Sequence, residues 1–281
     1  MNALPTSMTR LILVSLIIVA TPCPSSAQIA VKGHRPSLTA EEDLSERLVE
    51  LRRHGGEIQK VLLVIPPRAR GAIVMLPGGS GDVGLTGTTD IRHDDNFVVR
   101  TRAMWARRGF TVLIPDTIGH ANLRGLRSSP GYASLVNDLV ELAHRQVTSP
   151  VFLLGTSQGS IAAMNAAAHA TAGSIAGVVL TESVSVMGGS GETVFSASPQ
   201  LVRAPALIVA NRDDRCNVAP PAAAAQIARA RTMSRNVRVL MVAGGSKVSA
   251  KDCGSLTPHG YYGIEDQVVA KISRWMDAQL G

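Results

Sequence analysis

Short apolar segments alternate with longer segments of helical character along most of this chain, and this alternation constrains the fold more than any other feature. Continuous apolar strands that alternate with helices predict an α/β fold, with a mostly parallel central sheet and helices on both faces. Loops at the C-terminal edge of such a sheet carry the functional site. We expect strands at 61–65, 72–76, 111–115, 151–154, 175–180, 206–210 and 237–242, and helices at 96–108, 132–147, 158–172, 221–233 and 264–280.

The first 27 residues have the layout of a secretory signal peptide. Arg10 precedes an apolar run at 11–20, and the small, Pro-containing segment 21–27 ends at Ala27. A membrane span needs about 20 apolar residues, so this run fits a signal peptide better than a retained anchor. We therefore predict an exported protein, periplasmic or secreted, with one α/β domain at 28–281, some helix near 41–51 and no stable membrane span after signal cleavage.

The positive charge of the chain does not indicate a nucleic-acid partner. The formal net charge is +7, but the basic residues are scattered, apart from a modest cluster at 100–108, and aromatic residues make up 3% of the chain. Nucleic-acid sites combine a basic patch with a recognisable fold motif or stacking aromatics. The basic surface is more simply a solubility feature, or a mild attraction to anionic molecules or envelope surfaces, and the partner that we expect is a small molecule.

The clearest motif is the segment Gly155-Thr156-Ser157-Gln158-Gly159, which lies between a predicted strand and an alanine-rich helix. A G-x-S-x-G sequence in this strand–turn–helix setting is a nucleophile elbow, in which the serine hydroxyl projects above the sheet. The glycines let neighbouring backbone approach closely. We predict that Ser157 is a nucleophile; the alternative is an ordinary helix N-cap.

A serine nucleophile needs a base, and His259 is the candidate. It follows Ser157 at a distance that leaves room for an intervening strand and acid, as the order Ser, acid, His requires. It also lies in a polar loop between the last predicted strand and the closing helix. His169 is within the helix that follows the elbow, so its side chain should point away from the strand ends.

An acid should orient the base, and the predicted strand at 206–210 leads into two aspartates. The usual spacing from a strand end favours Asp214 as the triad acid, with Asp213 in a turn or solvated. Glu182, directly after the preceding strand, is a further alternative.

Two cysteines remain if the signal peptide is removed, and their positions are informative. Cys216 lies two residues after Asp214, and Cys253 lies six residues before His259. An even count in an exported protein suggests a disulfide. A Cys216–Cys253 disulfide would hold the acid loop against the histidine loop, and it would stabilise the fold by roughly 3–4 kcal/mol; the alternative is two free thiols.

Backbone amides near Ser157 should bind the oxyanion that forms when a carbonyl is attacked. The Gln158 N–H begins the helix after the elbow, where amides are unpaired and the helix dipole favours negative charge. A second donor should come from the glycine-rich loop after the strand at 72–76, and the Ser80 or Gly79 N–H is the candidate.

Neither a cofactor nor a metal is predicted. The segment 79–84 matches the G-x-G-x-x-G dinucleotide fingerprint, but the residues after it are loop-like, and the fingerprint needs a helix there to bind the pyrophosphate. The acidic and histidine residues at 90–95 are more typical of a solvated loop ahead of a helix N-cap at Asn96 than of metal ligands.

Over nearly all of the sequence after residue 27, the chain resembles the α/β-hydrolase family, and most closely its small exported dienelactone-hydrolase-like members. The resemblance implies a Ser157–His259–Asp214 triad and hydrolysis through an acyl-enzyme. Some relatives insert a large helical cap before the strand that precedes the acid, but the segment 184–203 is too short for one. Serine replaces the cysteine of dienelactone hydrolases proper, and Leu76-Pro77 stands where lipase-type oxyanion motifs often have a histidine. The resemblance rests on 76–79, the elbow, Asp214 with Cys216, and Cys253 with His259-Gly260.

These features predict a serine hydrolase that cleaves carboxylic ester or related acyl bonds. The same triad would serve a peptidase or amidase, and the sequence does not separate the two substrate types. From another class, the chain could be a non-catalytic binding protein on a hydrolase scaffold, although candidates for all three triad positions are present.

Overall fold

The computed structural model describes residues 44–53 and 55–280, so the predicted signal peptide at 1–27 lies outside it. Within the described residues, none of the helices is long and apolar enough to cross a membrane. The strands are β1 Ser45–Arg52, β2 Ile58–Ile65, β3 Gly71–Leu76, β4 Phe110–Pro115, β5 Val151–Thr156, β6 Gly177–Thr181, β7 Ala206–Asn211 and β8 Val237–Val242. The α-helices are α1 Phe97–Arg100, α2 Arg102–Ala106, α3 Pro130–Gln146, α4 Gln158–Ala168, α5 Ala224–Arg229 and α6 Glu265–Asp277.

All the described strands join one sheet in the order β1-β2-β4-β3-β5-β6-β7-β8. Six neighbouring strands, β4, β3, β5, β6, β7 and β8, are parallel to one another. Strand β2 runs antiparallel to β4, and β1 runs antiparallel to β2. The mostly parallel sheet predicted from the sequence is thus confirmed. Because the parallel strands end at one edge, the loops after β3, β5, β6, β7 and β8 meet there.

Successive strand residues supply the two faces of the sheet. In β2, Val61 and Leu63 pack on one face, in a cluster with side chains of α3, α4 and α5, while Leu62 and Val64 pack on the other face with α1, α2 and α6. This arrangement explains the unbroken apolar strands, because each strand is covered on both sides.

The prediction of a helix near 41–51 is wrong, because the described part of this segment forms β1. The whole strand pairs with β2, from Ser45 opposite Ile65 to Arg52 opposite Ile58. Its exposed and half-buried residues largely alternate, and Leu48 and Val49 pack against opposite core clusters. Pairing with an available sheet edge therefore outweighs local helical preference.

Other helices are also shorter than predicted. Helix α4, expected at 158–172, ends at Ala168, and α6, expected at 264–280, is Glu265–Asp277. The helix expected at 96–108 is divided at Thr101, whose hydroxyl donates to the Phe97 carbonyl at 2.6 Å and accepts from the Trp105 indole at 3.0 Å. The helix expected at 221–233 is a 3-10 turn followed by α5, which ends at Arg229.

The segment between β6 and β7, residues 182–205, is a loop with two short 3-10 turns, Val194–Ser196 and Pro199–Leu201. Its apolar residues Val184, Val194, Ala197 and Val202 are buried in the core cluster that includes α4. The segment therefore packs on the domain and forms no large cap, as expected.

Candidate active site

The elbow between β5 and α4 holds Ser157 in an unusual backbone conformation, with φ 52° and ψ −121°. A Cβ on Gly155 would lie 2.1 Å from the Gly159 carbonyl oxygen, and a Cβ on Gly159 would lie 2.1 Å from the Leu76 carbonyl oxygen. Any larger residue at either position would clash with the backbone. The Ser157 N–H donates to the Thr181 carbonyl at 2.9 Å, which ties the elbow to the neighbouring strand β6.

Ser157, His259 and Asp214 form a continuous hydrogen-bonded chain. Ser157 Oγ lies 2.9 Å from His259 Nε2, and His259 Nδ1 lies 2.8 Å from Asp214 Oδ2. His259 and Asp214 are buried, with 4% and 6% of their surface exposed. The distances and the order of the three groups match those of a serine–histidine–acid triad.

The two alternative acids have different positions. The Asp213 carboxylate accepts from the Gly244 N–H at 2.6 Å, and its own N–H binds the Asn211 side chain, so Asp213 stabilises the loop after β8. Glu182 is buried behind the triad, and its Oε1 accepts from the Asn211 N–H at 2.7 Å. Only Asp214 of the three has a hydrogen bond to His259 among the described residues.

The loop after β8 fixes the position of His259. The Thr257 hydroxyl accepts from the His259 N–H at 3.1 Å and donates to the carbonyls of Asp252 and Gly254. A Cβ on Gly260 would lie 1.9 Å from the Ser255 carbonyl oxygen, so the next position is restricted to glycine.

A disulfide joins Cys216 to Cys253, as the sequence predicts, with the two Cα atoms 4.6 Å apart. Cys216 also supports the triad directly, because its N–H donates to Asp214 Oδ1 at 2.8 Å. Cys253 lines the cleft in front of His259. The disulfide therefore links the acid to the wall of the site.

The proposed oxyanion donors lie beside Ser157. The loop after β3 passes over Ser157, since a Cβ on Gly78 would lie 3.2 Å from the Ser157 Cβ. Gly79 has φ 61°, a left-handed conformation that favours glycine. Among the described residues, no protein acceptor binds the N–H of Gly79 or Ser80. Gln158 is the first residue of α4, where the amide has no intrahelical partner.

A cleft of about 380 Å³ opens in front of the triad. Its mixed lining includes Arg92, Arg124, Asp82 and Asp95. Asp82 lies 3.1 Å from His120 Nδ1 and 3.5 Å from Arg92. Burial alone would raise the pKa of Asp82, but the hydrogen bond from His120 and the charges of His120, Arg92 and His93 outweigh it and lower that pKa. The Arg124 guanidinium lies beside Gly79.

Comparisons with known proteins concern the fold of the chain. A family model described as serine aminopeptidase, S33, matches residues 96–185, about a third of the chain, which includes the elbow but neither Asp214 nor His259. The search of curated proteins finds no match. Among solved structures, the dienelactone hydrolase of Anabaena variabilis is 19% identical, with a TM-score of 0.61 over 85% of this chain and 99% of that one. The chain has the α/β-hydrolase fold.

Esterases share this α/β-hydrolase fold. Est1E from Butyrivibrio proteoclasticus is 15% identical, with a TM-score of 0.55 over 83% of this chain and 98% of its own. A carboxyl esterase from Bacillus coagulans is 12% identical, with a TM-score of 0.59 over 85% of this chain and all of its own. At these identities the likeness concerns the fold.

The end of the glycine-rich segment 79–84, together with the residue after it, forms an anion cradle, and a side chain of the protein fills it. The Asp116 carboxylate accepts from the N–H groups of Val83, Gly84 and Leu85 at 2.8, 3.1 and 2.7 Å. A dinucleotide phosphate would have to displace this buried carboxylate. The sequence could not reveal this, because Asp116 lies after β4, far from the loop in the chain.

One group of side chains has metal-like spacing: atoms of Glu182, Asp214 and His259 lie within 4.8 Å of one another. Both Asp214 oxygens and both His259 nitrogens already have hydrogen-bond partners within the chain. These atoms of Asp214 and His259 are therefore engaged in hydrogen bonds within the chain. Asn96, at the end of the acidic segment 90–95, accepts from the Val98 N–H and caps α1.

Arg127 is a supporting residue that the sequence analysis missed. Its side chain is 1% exposed, and its guanidinium donates to the Gly79 carbonyl at 3.1 Å and, weakly, to the Pro77 carbonyl at 3.4 Å. Burial lowers the pKa of Arg127, and the charges of Tyr132 and Glu192 oppose this effect. No motif marks this arginine, because its partners are backbone atoms of a distant loop.

Proposed function

We propose that the protein is a serine hydrolase that cleaves carboxylic ester bonds through an acyl-enzyme on Ser157. The observation that carries the proposal is the contact of Ser157 Oγ with His259 Nε2 at 2.9 Å, with Asp214 bound to the other imidazole nitrogen at 2.8 Å. A base within hydrogen-bond reach of the hydroxyl, itself oriented by a carboxylate, is what an activated serine needs.

Acylation would begin when Ser157 Oγ attacks the ester carbonyl carbon and His259 Nε2 takes the hydroxyl proton. The carbonyl π electrons move to oxygen, and the N–H groups of Gln158 and of Ser80 or Gly79 bind the resulting oxyanion. As the intermediate collapses, the ester C–O bond breaks, and His259 returns the proton to the departing alkoxide.

Deacylation would repeat these steps with water. His259 removes a proton from the water as it attacks the acyl carbon, and then protonates Ser157 Oγ as the acyl-enzyme bond breaks. The products are a carboxylic acid and an alcohol. Asp214 keeps its carboxylate throughout and stabilises the imidazolium.

A peptidase or amidase with the same triad is the second candidate, and the family model described as serine aminopeptidase favours it. An aminopeptidase has to bind the substrate's terminal ammonium group. In this cleft Asp82 is paired with His120 and Arg92, and the exposed Arg124 guanidinium lies next to the oxyanion loop. A cation there would repel an ammonium group next to the oxyanion loop, although Asp95 also lines the cleft. Because esterases share the fold as well, we favour ester substrates.

Labelling with a fluorophosphonate probe tests the nucleophile, since the probe reacts with activated serines. We expect the wild type to be labelled, Ser157→Ala to lose labelling, and Ser255→Ala to keep it. Ser255 is a suitable control because it lines the same cleft without a hydrogen bond to the triad. Well-folded wild type that resists the probe would reject the serine hydrolase and favour a binding role.

Matched substrates then separate the two enzyme candidates. Wild type and Ser157→Ala would be assayed with p-nitrophenyl esters of short acyl chains and with aminoacyl anilides. We expect kcat/KM for the best ester to exceed that for the best anilide, and hydrolysis of both to require Ser157. Faster turnover of the anilides would favour the peptidase.

A further inference from the structure

Glu182 occupies a position that the triad mechanism does not use. It directly follows β6, has φ 43°, and is 1% exposed. Its N–H donates to the Val209 carbonyl at 3.1 Å, and its Oε1 accepts from the Asn211 N–H at 2.7 Å. These contacts direct the carboxyl group to the side of Asp214 away from the substrate cleft, where its atoms come within 4.8 Å of Asp214 and His259.

The groups facing Glu182 do not offset a second negative charge. Asp214 faces it from the loop after β7, and His259 and Tyr261 face it from the loop after β8. No Lys or Arg of the described residues forms an ion pair with Glu182. Two ionised carboxylates this close in a buried site repel strongly, so one of them retains a proton.

The hydrogen bonds identify which carboxyl keeps the proton. Both Asp214 oxygens accept from N–H groups, Oδ1 from Cys216 and Oδ2 from His259, each at 2.8 Å. Glu182 accepts at Oε1, and its buried Oε2 has no hydrogen-bond partner, because the nearby Tyr261 hydroxyl donates to the Val209 carbonyl at 3.2 Å. Donors stabilise a carboxylate, while an oxygen without donors is best satisfied by carrying the proton itself.

We propose that Glu182 is a neutral carboxylic acid that donates a hydrogen bond to the Asp214 carboxylate and thereby acts as a positioning residue for the triad. The proton stays on Glu182 through the reaction cycle. The added donor holds the Asp214 carboxylate in the plane that His259 needs, and it limits how strongly Asp214 attracts the imidazole proton. Burial and the Asp214 charge both raise the pKa of Glu182 well above its ordinary value, which agrees with the proposal.

The raised pKa of Glu182 has a defined effect on stability. In the unfolded chain a glutamate titrates near about 4.3, whereas folded Glu182 holds its proton to much higher pH. The resulting stabilisation is fully present below the unfolded value and is lost as the pH rises toward the folded value. Glu182→Gln keeps the neutral side chain but cannot titrate. We therefore expect Glu182→Gln to gain stability relative to the wild type as the pH is raised from 4 to 8.

Infrared spectroscopy tests the protonation state without any assay of activity. We expect the wild type at neutral pH to show the carbonyl band of a protonated carboxylic acid, Glu182→Gln to lose it, and Asp213→Asn to keep it. Asp213 is a matched control, because its carboxylate lies in the adjacent turn but binds the Gly244 N–H. Absence of the band from the wild type would overturn the proposal even if ester hydrolysis is demonstrated.

The pH profile of kcat/KM tests the positioning role, and this part rests on the proposed function. We expect Glu182→Gln to retain the acid limb of the wild-type profile, because its amide replaces a neutral donor. Glu182→Leu removes the donor, so we expect kcat/KM to fall about tenfold and the acid limb to move to higher pH. If the acid limb of the Glu182→Gln profile lies at lower pH than that of the wild type, Glu182 is ionised in the wild type. An unchanged Glu182→Leu profile would also reject the role.

Discussion

Ser157 adopts a backbone conformation that is costly for a residue with a side chain, and glycines make it possible. The Gly155 and Gly159 positions leave no space for a Cβ, because each would meet a backbone oxygen at 2.1 Å. Strand β3, strand β5 and helix α4 therefore approach more closely around the nucleophile than other residues would permit. The hydroxyl is presented by packing of the backbone rather than by its own rotamer.

Replacing Gly159 tests whether the backbone of β3 approaches the elbow this closely. We expect Gly159→Ala to lower the free energy of unfolding by about 2–4 kcal/mol and to abolish probe labelling, because the Leu76 carbonyl has to move. Gly131→Ala in α3 is the control: nothing lies within 4 Å of the added Cβ. Urea unfolding and labelling would be measured for both. Wild-type stability of Gly159→Ala would contradict the close approach.

Individual residues were predictable from the sequence where a local motif marks them. The elbow serine, the histidine in the last loop and the cysteine pair follow from spacing and order along the chain. Arg127 and Asp116 are marked by no motif, since each acts on atoms that lie close only after folding. Asp116, for example, binds amides more than 30 residues earlier in the chain. Glu182 is marked by its place after a strand, which made it an alternative triad acid and not a partner of Asp214.

The segment between β4 and α3, residues 116–129, connects helix α4 to the loop after β3, which carries Gly79 and Ser80. The Asn165 side chain in α4 donates to the carbonyls of Arg127 and Ser129 at 2.8 and 2.6 Å. The Arg127 guanidinium then binds the Gly79 carbonyl at 3.1 Å. Because the carbonyl and N–H of a trans peptide point in opposite directions, a fixed Gly79 carbonyl also fixes the direction of the Ser80 N–H.

Substitution of Arg127 should therefore affect the transition state more than substrate binding. We expect Arg127→Met to lower kcat at least tenfold with little change in KM, because an oxyanion donor loses its orientation. Arg127→Lys should recover part of the loss, and Arg145→Met on the exposed face of α3 should have no effect. Steady-state kinetics with an ester would measure both constants. A rise in KM at constant kcat would instead indicate a role in binding substrate.

The predicted elements agree with the structure where burial determines them. The strands at the centre of the sheet are apolar over their whole length, so their pattern identifies them. Strand β1 at the sheet edge is polar on part of its surface and resembles a helix locally, and only its pairing with β2 stabilises it as a strand. The breaks in the predicted helices depend on single side-chain contacts such as that of Thr101 with Phe97.

For the whole molecule, the triad depends on distant parts of the chain. Ser157 and His259 are 102 positions apart, and Asp214 and His259 are 45 apart. The parallel sheet brings their loops to one edge, and the Cys216–Cys253 disulfide restrains two of the three loops. Small shifts between these loops would break the Asp214–His259 hydrogen bond.

Removing the disulfide should impair both stability and turnover. We expect the free energy of unfolding of a Cys216→Ser/Cys253→Ser double variant to be about 3–4 kcal/mol lower than that of the wild type. We also expect a lower kcat, because the disulfide no longer restrains the Cys216 N–H or the cleft wall. Urea unfolding and ester kinetics, with and without a reductant, would be compared. The double variant should be insensitive to reductant, whereas wild type that keeps its stability and kcat after full reduction would contradict this role.

The position of the disulfide also determines how the molecule responds to tension. Its two cysteines are 37 positions apart and enclose α5 and the edge strand β8. When the chain is pulled from its two ends, force passes through the sulfur atoms and bypasses this segment. At about 3.5 Å per extended residue, roughly 130 Å of contour length stays hidden until the bond is reduced. The backbone of β8 therefore lies outside the covalent path of the force, and β8 is loaded only through its pairing with β7.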